Sequence, residues 1–273
     1  PVGPSGCLDD MKVYSFTAKE NEERYPQVAA TDWAFRRRGY QVLSFTFDDL
    51  TAGRLDEDLV QAAESTVLWG PVGAVLGALD RAQRPRPPRL DYPTELTKYL
   101  GRTIRSGTLG EVRASDGDRG PFRWPVHVKP AADHKLFTGV FVTQFRDLIR
   151  LAALPGDTPV FVAEPLKLKS EWRATTLRRR VVNLANYKGD PLALPDPAVV
   201  AAGAADFVSA PIGYGADWGV TADGQTVLVE VNDGFSLGNY GVPGHIYTAL
   251  LECRWRELNG LPDNGVGLDI PDA

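Results

Sequence analysis

The run Arg81–Arg89 (RAQRPRPPR) divides the chain into two stretches with different hydrophobic rhythms. Proline neither continues a helix nor donates to a strand ladder, so a run of this kind connects elements and does not form one. Before it, β-type runs alternate with helical spacing. Met11–Phe16 (MKVYSF) is followed by a helical pattern over Pro26–Arg38, closed by Gly39. Tyr40–Phe47 (YQVLSFTF) is followed by Leu59–Ala63, then Thr66–Trp69 (TVLW) and a short helix over Val72–Leu79. Strand and helix in alternation predict a small parallel α/β unit.

After the connector the pattern changes. The spacing predicts a helix over Glu95–Ile104 and a turn at Asp116–Gly120. From Pro125 to Thr176 the strands follow one another without helices: PVHVKP, GVFVTQF, PVFVAEPL and EWRATTL. Val181–Tyr187 adds a strand and Asp196–Ala205 a helix. Gly213–Tyr240 holds two strands joined at Asp223–Gly224, then a glycine-rich loop; Tyr247–Leu258 closes the chain as a helix. This half reads as antiparallel, and no internal repeat is visible.

The chain has 273 residues and 43% hydrophobic content, enough for one large or several small domains. A formal charge of −5 argues against a broad basic surface for nucleic acid, while leaving room for a local basic cleft. No stretch approaches the ~18 apolar residues of a bilayer span, and the first ten residues (PVGPSGCLDD) lack the apolar core of a secretory signal. They read as a loose tail or a cloning remnant. Cys7 and Cys253 have neither zinc spacing nor a disulfide framework, and are expected as reduced thiols in a cytoplasmic protein.

The densest chemical signal is GADWGVTADGQTVLVEVNDG. With Asp217 and Glu230 on strands joined by the Asp223–Gly224 turn, the two carboxylates face each other. Asn232, two residues on, shares the face of Glu230. Three oxygen donors at one point suit a hard cation such as magnesium. A lone Glu-x-Asn is more often a solvated strand face, but Val227, Val229 and Val231 alternate with Leu228, so both faces are expected to be covered. A buried carboxylate needs a partner.

Cationic candidates come earlier. Lys129 ends the strand HVKP, and Lys135 follows in DHKLFTG, on a loop closed by Gly139. One such lysine is usually a snorkelling surface residue; two flanking a glycine-ended loop suit a phosphate clamp. Arg173 in SEWRATTL has the fork for bidentate contact with phosphate or carboxylate, or pairs across the sheet with a neighbour; Glu171 shares its face and Trp172 points the other way. Glu164 and Pro165 end the run VFVAEP, either as an ordinary strand end or as backbone able to read a purine edge. Ser236, Asn239 and Tyr240, in the loop DGFSLGNYG, either orient a substrate or belong to a plain connector. Arg102 either enters the cleft or caps its own helix; His127, His134 and His245 have no metal spacing.

Taken together, VKP at 128–130, KLFTG at 135–139, VAEPL and EWR between 162 and 173, and Asp217…Glu230-Val-Asn232 resemble the ATP-grasp superfamily over about residues 90–258. The interval of 13 residues from Asp217 to Glu230, with Asn two later, is the most specific part. EWR and EVNDGFSLGNYG are similar to a subgroup of small ligases, some tied to peptide natural products. The short glycine loop with Lys135 departs from the family pattern. The resemblance implies an α/β (α+β) ATP-grasp fold. Residues 11–90 form the preceding α/β domain, and 91–273 form a grasp domain whose two lobes enclose the nucleotide.

It further implies ATP and Mg2+, with two ions on Asp217, Glu230 and Asn232, and the ATP phosphates on Lys129 and Lys135. Ala163, Glu164 and Leu166 line the adenine hinge, and Glu171 reaches the ribose. Arg173 acts on the transferring phosphoryl group, together with Lys135. The activity implied is carboxylate–amine ligation through an acyl-phosphate, on small-molecule or peptide substrates, without nucleic acid or membrane partners. A phosphotransferase, a non-catalytic nucleotide-binding module and a homodimer stay open alternatives.

Overall fold

A computed structural model describes residues 11–17, 26–115, 119–131 and 136–269. Cys7, Asp116, His134 and Lys135 lie outside these residues.

The first unit forms as its alternation predicts. Strands β1 (Lys12–Phe16), β2 (Gln41–Phe45) and β3 (Thr66–Trp69) make a parallel sheet in the order β2-β1-β3. Helices α1 (Pro26–Arg37), α2 (Phe47–Thr51), α3 (Asp56–Val60) and α4 (Val72–Arg81) connect and cover it. Local chemistry starts α2: the Thr46 hydroxyl accepts the Asp49 N–H, and the Asp49 carboxylate accepts the Thr46 N–H, a reciprocal cap.

The second half contains two antiparallel sheets. The first has the order β4-β7-β5-β6, from β4 (Ile104–Thr108), β5 (Val126–Pro130), β6 (Val140–Val142) and β7 (Pro159–Ala163); α5 (Leu109–Arg113) packs behind it. The second has the order β11-β10-β8-β9, from β8 (Leu168–Leu177), β9 (Arg180–Gly189), β10 (Gly213–Thr221) and β11 (Thr226–Asp233). Helix α6 (Pro197–Asp206) precedes β10, capped by Asp196 and opened by Pro197. The last helix, α7 (Gly244–Leu258), begins earlier than its apolar spacing predicts.

Three hydrophobic clusters hold these layers. One fills the space behind β4–β7, with Val128, Val140 and Val160 at its centre. Another lies against β10 and β11, around Trp218, Tyr214 and Leu228. The third joins the parallel unit to α7: Val13, Phe35 and Leu79 pack with Leu250, Trp255 and Leu258. The end of the chain thus completes the core of its beginning. Among the described residues no helix is long and apolar enough to cross a membrane.

One expected element is absent. Residues 95–104 are not a helix; a 3-10 turn over Thr94–Tyr99 gives way to strand β4. Gly101 ends the turn with φ +61, and a Cβ there would lie 2.4 Å from Val227 Cγ1. The chain must cross β11 at close range, and only glycine both allows the approach and accepts the left-handed backbone. Gly101→Ala should therefore destabilise the fold by about 1–3 kcal/mol, from strain and overpacking together. Urea unfolding checks this; an unchanged midpoint would refute the close crossing.

Candidate functional site

The β10–β11 hairpin works as its turn residues predict. Gly224 takes φ +89, and the Gly224 N–H donates to the Thr221 carbonyl at 3.0 Å. Its register pairs Trp218 with Leu228, then shifts by one residue at a bulge between Asp217 and Trp218, which puts Asp217 opposite Glu230 and Gly215 opposite Asn232. On the other side of β10, Asp217 is opposite Arg173 of β8. The guanidinium closes on the carboxylate with two bonds, Nε to Oδ1 and Nη2 to Oδ2, both 2.7 Å. Burial pushes the Asp217 carboxyl up to about 6, against the pull of Arg173. The Asn232 Nδ2 donates to Glu230 Oε1 at 3.1 Å and lies 3.4 Å from Asp217 Oδ2.

The facing sheet contributes Lys129. Its strand β5 carries valines on one face and His127 and Lys129 on the other, two residues apart. The ammonium donates to Glu230 Oε2 at 2.8 Å and to Asp91 Oδ1 at 2.7 Å. Burial opposes its charge, but Glu230, Tyr92 and Asp91 win, so it is held above the usual lysine value. Burial likewise works to raise the Glu230 carboxyl; Lys129 and Asn232 more than offset this, leaving it lowered. Arg89 adds a bidentate pair to Asp91. Three cations (Arg89, Lys129, Arg173) thus face three carboxylates (Asp91, Asp217, Glu230).

These groups surround a cavity of about 610 Å³, walled by His127, Lys129, Arg173, Glu230, Asn232 and Tyr240 among others. That volume suits a nucleotide-sized ligand. The Tyr240 backbone has φ +44 and its ring carries the Arg173 guanidinium carbon 4.6 Å from its centroid; the Tyr187 ring lies 5.1 Å away. Gly139 lets the loop approach the wall, since a Cβ there would come within 2.6 Å of His127 Nε2. Burial, then Lys129 and Arg102, lower the His127 pKa and favour its neutral form.

The predicted residues divide by position. Lys129, Arg173, Glu230, Asn232, Ser236 and Tyr240 meet at the cavity. Asp217 lies behind Arg173, 2% exposed. Ser236 is on the wall, but its hydroxyl donates to the Gly70 carbonyl at 2.8 Å and ties the loop to the parallel unit. Asn239 turns inward on its own loop, accepting the Gly241 N–H. Ala163, Glu164, Leu166 and Glu171 do not line the cavity. The Glu164 amide donates to the Thr103 carbonyl at 3.0 Å, and its carboxylate accepts the Thr103 N–H at 2.8 Å. Glu171 pairs with Lys188 and accepts from Tyr187 on β9. Arg173 thus forms the cross-strand pair of its alternative reading, with Asp217, and Glu171 has a separate partner in Lys188.

Sequence reasoning did not see Arg89, Asp91 and Tyr92 as site residues, because they end or follow the connector; a charged Arg-x-Asp after a proline run was their only trace. Arg102 takes the capping role and adds another: it donates to the carbonyl of Leu100, which ends the 3-10 turn, and to those of Leu228 and Val229, sealing the edge of β11.

No group of three or more His, Cys, Asp or Glu side chains able to hold a metal occurs among the described residues. A cation here would take Glu230, with the Asn232 amide turned to present its oxygen in place of the Nδ2 that now faces Glu230 and Asp217, and with the Asp217 lone pairs not directed at Arg173. These are hard oxygen donors, as magnesium requires, with further positions left for ligand oxygens. The residues fit the ion.

A family model described as an ATP-grasp domain matches residues 99–250, more than half of the chain. No curated protein matches it in sequence. Solved structures do. An N5-carboxyaminoimidazole synthetase from Staphylococcus aureus is 11% identical, with 92% of this chain and 78% of that one covered and a TM-score of 0.54. A RimK-domain ATP-grasp protein from Sphaerobacter thermophilus DSM 20745 is 17% identical, at 89% and 99% coverage and TM-score 0.53. A D-alanine–D-alanine ligase from Bacillus anthracis, complexed with ATP, is 15% identical, at 92% and 98% coverage and TM-score 0.50. At these identities the likeness is one of fold.

The Arg173–Asp217 pair yields a stability test. Asp217→Ala leaves a buried guanidinium without its carboxylate and should cost about 3–5 kcal/mol, most of it recovered in Asp217→Ala/Arg173→Met. Chemical denaturation of the single and double variants measures the coupling; additive losses would contradict a paired site.

Proposed function

This chain belongs to the ATP-grasp domain family, and on that premise we propose that it is an ATP- and magnesium-dependent carboxylate–amine ligase. The observation that carries the reading is the meeting of Lys129, Arg173, Glu230 and Asn232, from two facing sheets, around one cavity of about 610 Å³. Cations and oxygen donors at one point are what a polyphosphate with its counter-ion needs. In this reading 11–90 is the preceding domain and 91–273 the grasp domain, with the first unit's core closed by α7.

A substrate carboxylate attacks the γ-phosphorus of ATP, ADP leaves, and an amine displaces phosphate from the acyl-phosphate to form the amide. Lys129, with Lys135 as the family resemblance implies, binds phosphate oxygens and neutralises their charge. Arg173, fixed by Asp217 and Tyr240, faces the transferring group. Preorganised cations aimed at developing negative charge are the main source of rate in phosphoryl transfer. Magnesium, held by Glu230, Asn232 and Asp217, supplies further positive charge to the phosphate oxygens when bound.

The adenine lies toward Ala163, Glu164 and Leu166. With the Glu164 amide already engaged by Thr103, its carbonyl and the Leu166 backbone are the groups left to read the base. Glu171 lies toward the ribose. Tyr240 is the strongest candidate for contact with the acid or amine; Ser236 and Asn239 shape the loop that presents it. Solved proteins of this fold include an L-amino acid ligase and a D-alanine–D-alanine ligase, which supports small acids and amines as substrates.

A mass-spectrometric screen of amino acids and peptides with ATP tests the reading. ADP and phosphate should appear in step with an amide product, and only with both acid and amine present. A phosphorylated alcohol as product would identify a phosphotransferase instead. Glu230→Gln should lower turnover roughly 10²–10³-fold; equal turnover would remove Glu230 from the site.

A further inference from the structure

The segment Arg89–Tyr92 joins the parallel unit to the antiparallel sheets, yet it forms part of the cavity wall through Arg89, Leu90 and Asp91. Asp91 is 8% exposed. Its carbonyl accepts the Val231 N–H at 2.8 Å, between Glu230 and Asn232 on the edge of β11. Its φ of +35 turns the chain there, a conformation that Asp tolerates better than most residues. The carboxylate accepts the Arg89 fork at 2.7 and 2.8 Å and the Lys129 ammonium at 2.7 Å. Lys129 therefore sits between two carboxylates, Asp91 and Glu230, with the Tyr92 ring centroid 4.6 Å from its nitrogen.

This arrangement answers a difficulty in the site. A divalent cation that takes Glu230 has the same sign as the ammonium already bonded to Glu230. It must either compete with Lys129 or drive it from the cavity, unless a second anion retains the lysine. Asp91 is that anion. Its backbone bond to Val231 at the edge of β11 keeps it fixed while Glu230 changes partner, and the Tyr92 face adds attraction from a third side.

We propose that Asp91 is a positioning residue that retains Lys129 in the cavity when a divalent cation takes Glu230, so that metal and lysine act on the polyphosphate together. The inference rests on the nucleotide-site reading above. It assigns the interdomain segment a part in ligand binding that its sequence gives no reason to expect.

The test is uptake of Mn2+ in the presence of a non-hydrolysable ATP analogue, followed by the loss of the free Mn2+ paramagnetic resonance signal. Wild type, Asp91→Asn, Asp91→Glu, Lys129→Met and Lys129→Met/Asp91→Asn are compared, with circular dichroism to establish folding. Asp91→Asn should weaken Mn2+ binding roughly 10–100-fold, the range for losing one charge-assisted hydrogen bond, here the one that holds the lysine away from Glu230. Asp91→Glu should restore most of it. In the Lys129→Met background the change at 91 should have no further effect, because Asp91 acts through the lysine. Unchanged affinity in Asp91→Asn, or an equal loss with and without Lys129, overturns the proposal. Where Asp91→Asn alone does not fold, the double variant, which removes the pair together, is compared with Lys129→Met, and any further loss is equally fatal. Absence of Mn2+–nucleotide uptake by the wild type would overturn the nucleotide site itself; normal wild-type uptake with an unaffected Asp91→Asn would sink only the role of Asp91.

Discussion

One buried ammonium links the two antiparallel sheets. Lys129 comes from β5, and its partners Glu230 and Asp91 come from β11 and from the segment laid along its edge. Removing a lysine and two carboxylates from water costs several kcal/mol per ion, and their mutual attraction returns this only with good geometry. The network is therefore a poor source of net stability. Its effect is positional: it fixes where two separately stabilised lobes meet, and it gathers charge at that place.

The hydrophobic clusters make such a link necessary. The core behind β4–β7 and the core around Trp218 are distinct, so apolar packing alone leaves the cavity between them undetermined. Polar side chains complete the surfaces that face it. Arg173 is held by Asp217 below and Tyr240 above, and Arg102 seals the β11 carbonyls. Arg254 of α7 clamps Asp233 with bonds of 2.6 and 2.7 Å, anchoring the end of the strand that carries Glu230 and Asn232. Since α7 shares its core with the parallel unit, the metal-ligand strand is tied to the first part of the chain through its last helix.

The charge balance explains how such a site persists in water-poor surroundings. Each cation has a carboxylate at bonding distance, and each carboxylate is either paired or hydrogen-bonded to Asn232. A ligand that brings phosphates together with a cation adds both signs at once, so the site need not carry a large unpaired charge before or after binding.

The parallel unit, the antiparallel half and the shared face of Glu230 and Asn232 were legible in the residues, because a strand's two-residue period and an Asp-Gly turn are local signals; the turn's register alone would oppose Asp217 to Val229, and a bulge beside Trp218 brings Glu230 there instead. The same local logic singled out Lys129 at the end of its strand and Arg173 as a fork for a bidentate partner. It failed at 95–104, where close packing on Val227 replaces a helix by a turn and a strand. It also failed at Arg89, Asp91 and Tyr92, and it could not say that Ser236 would bond Gly70. Contacts such as Lys129 with Glu230, 101 positions apart, depend on how two sheets pack. No periodicity within either segment encodes that: local sequence determined which groups could do chemistry, and tertiary structure alone decided which of them meet.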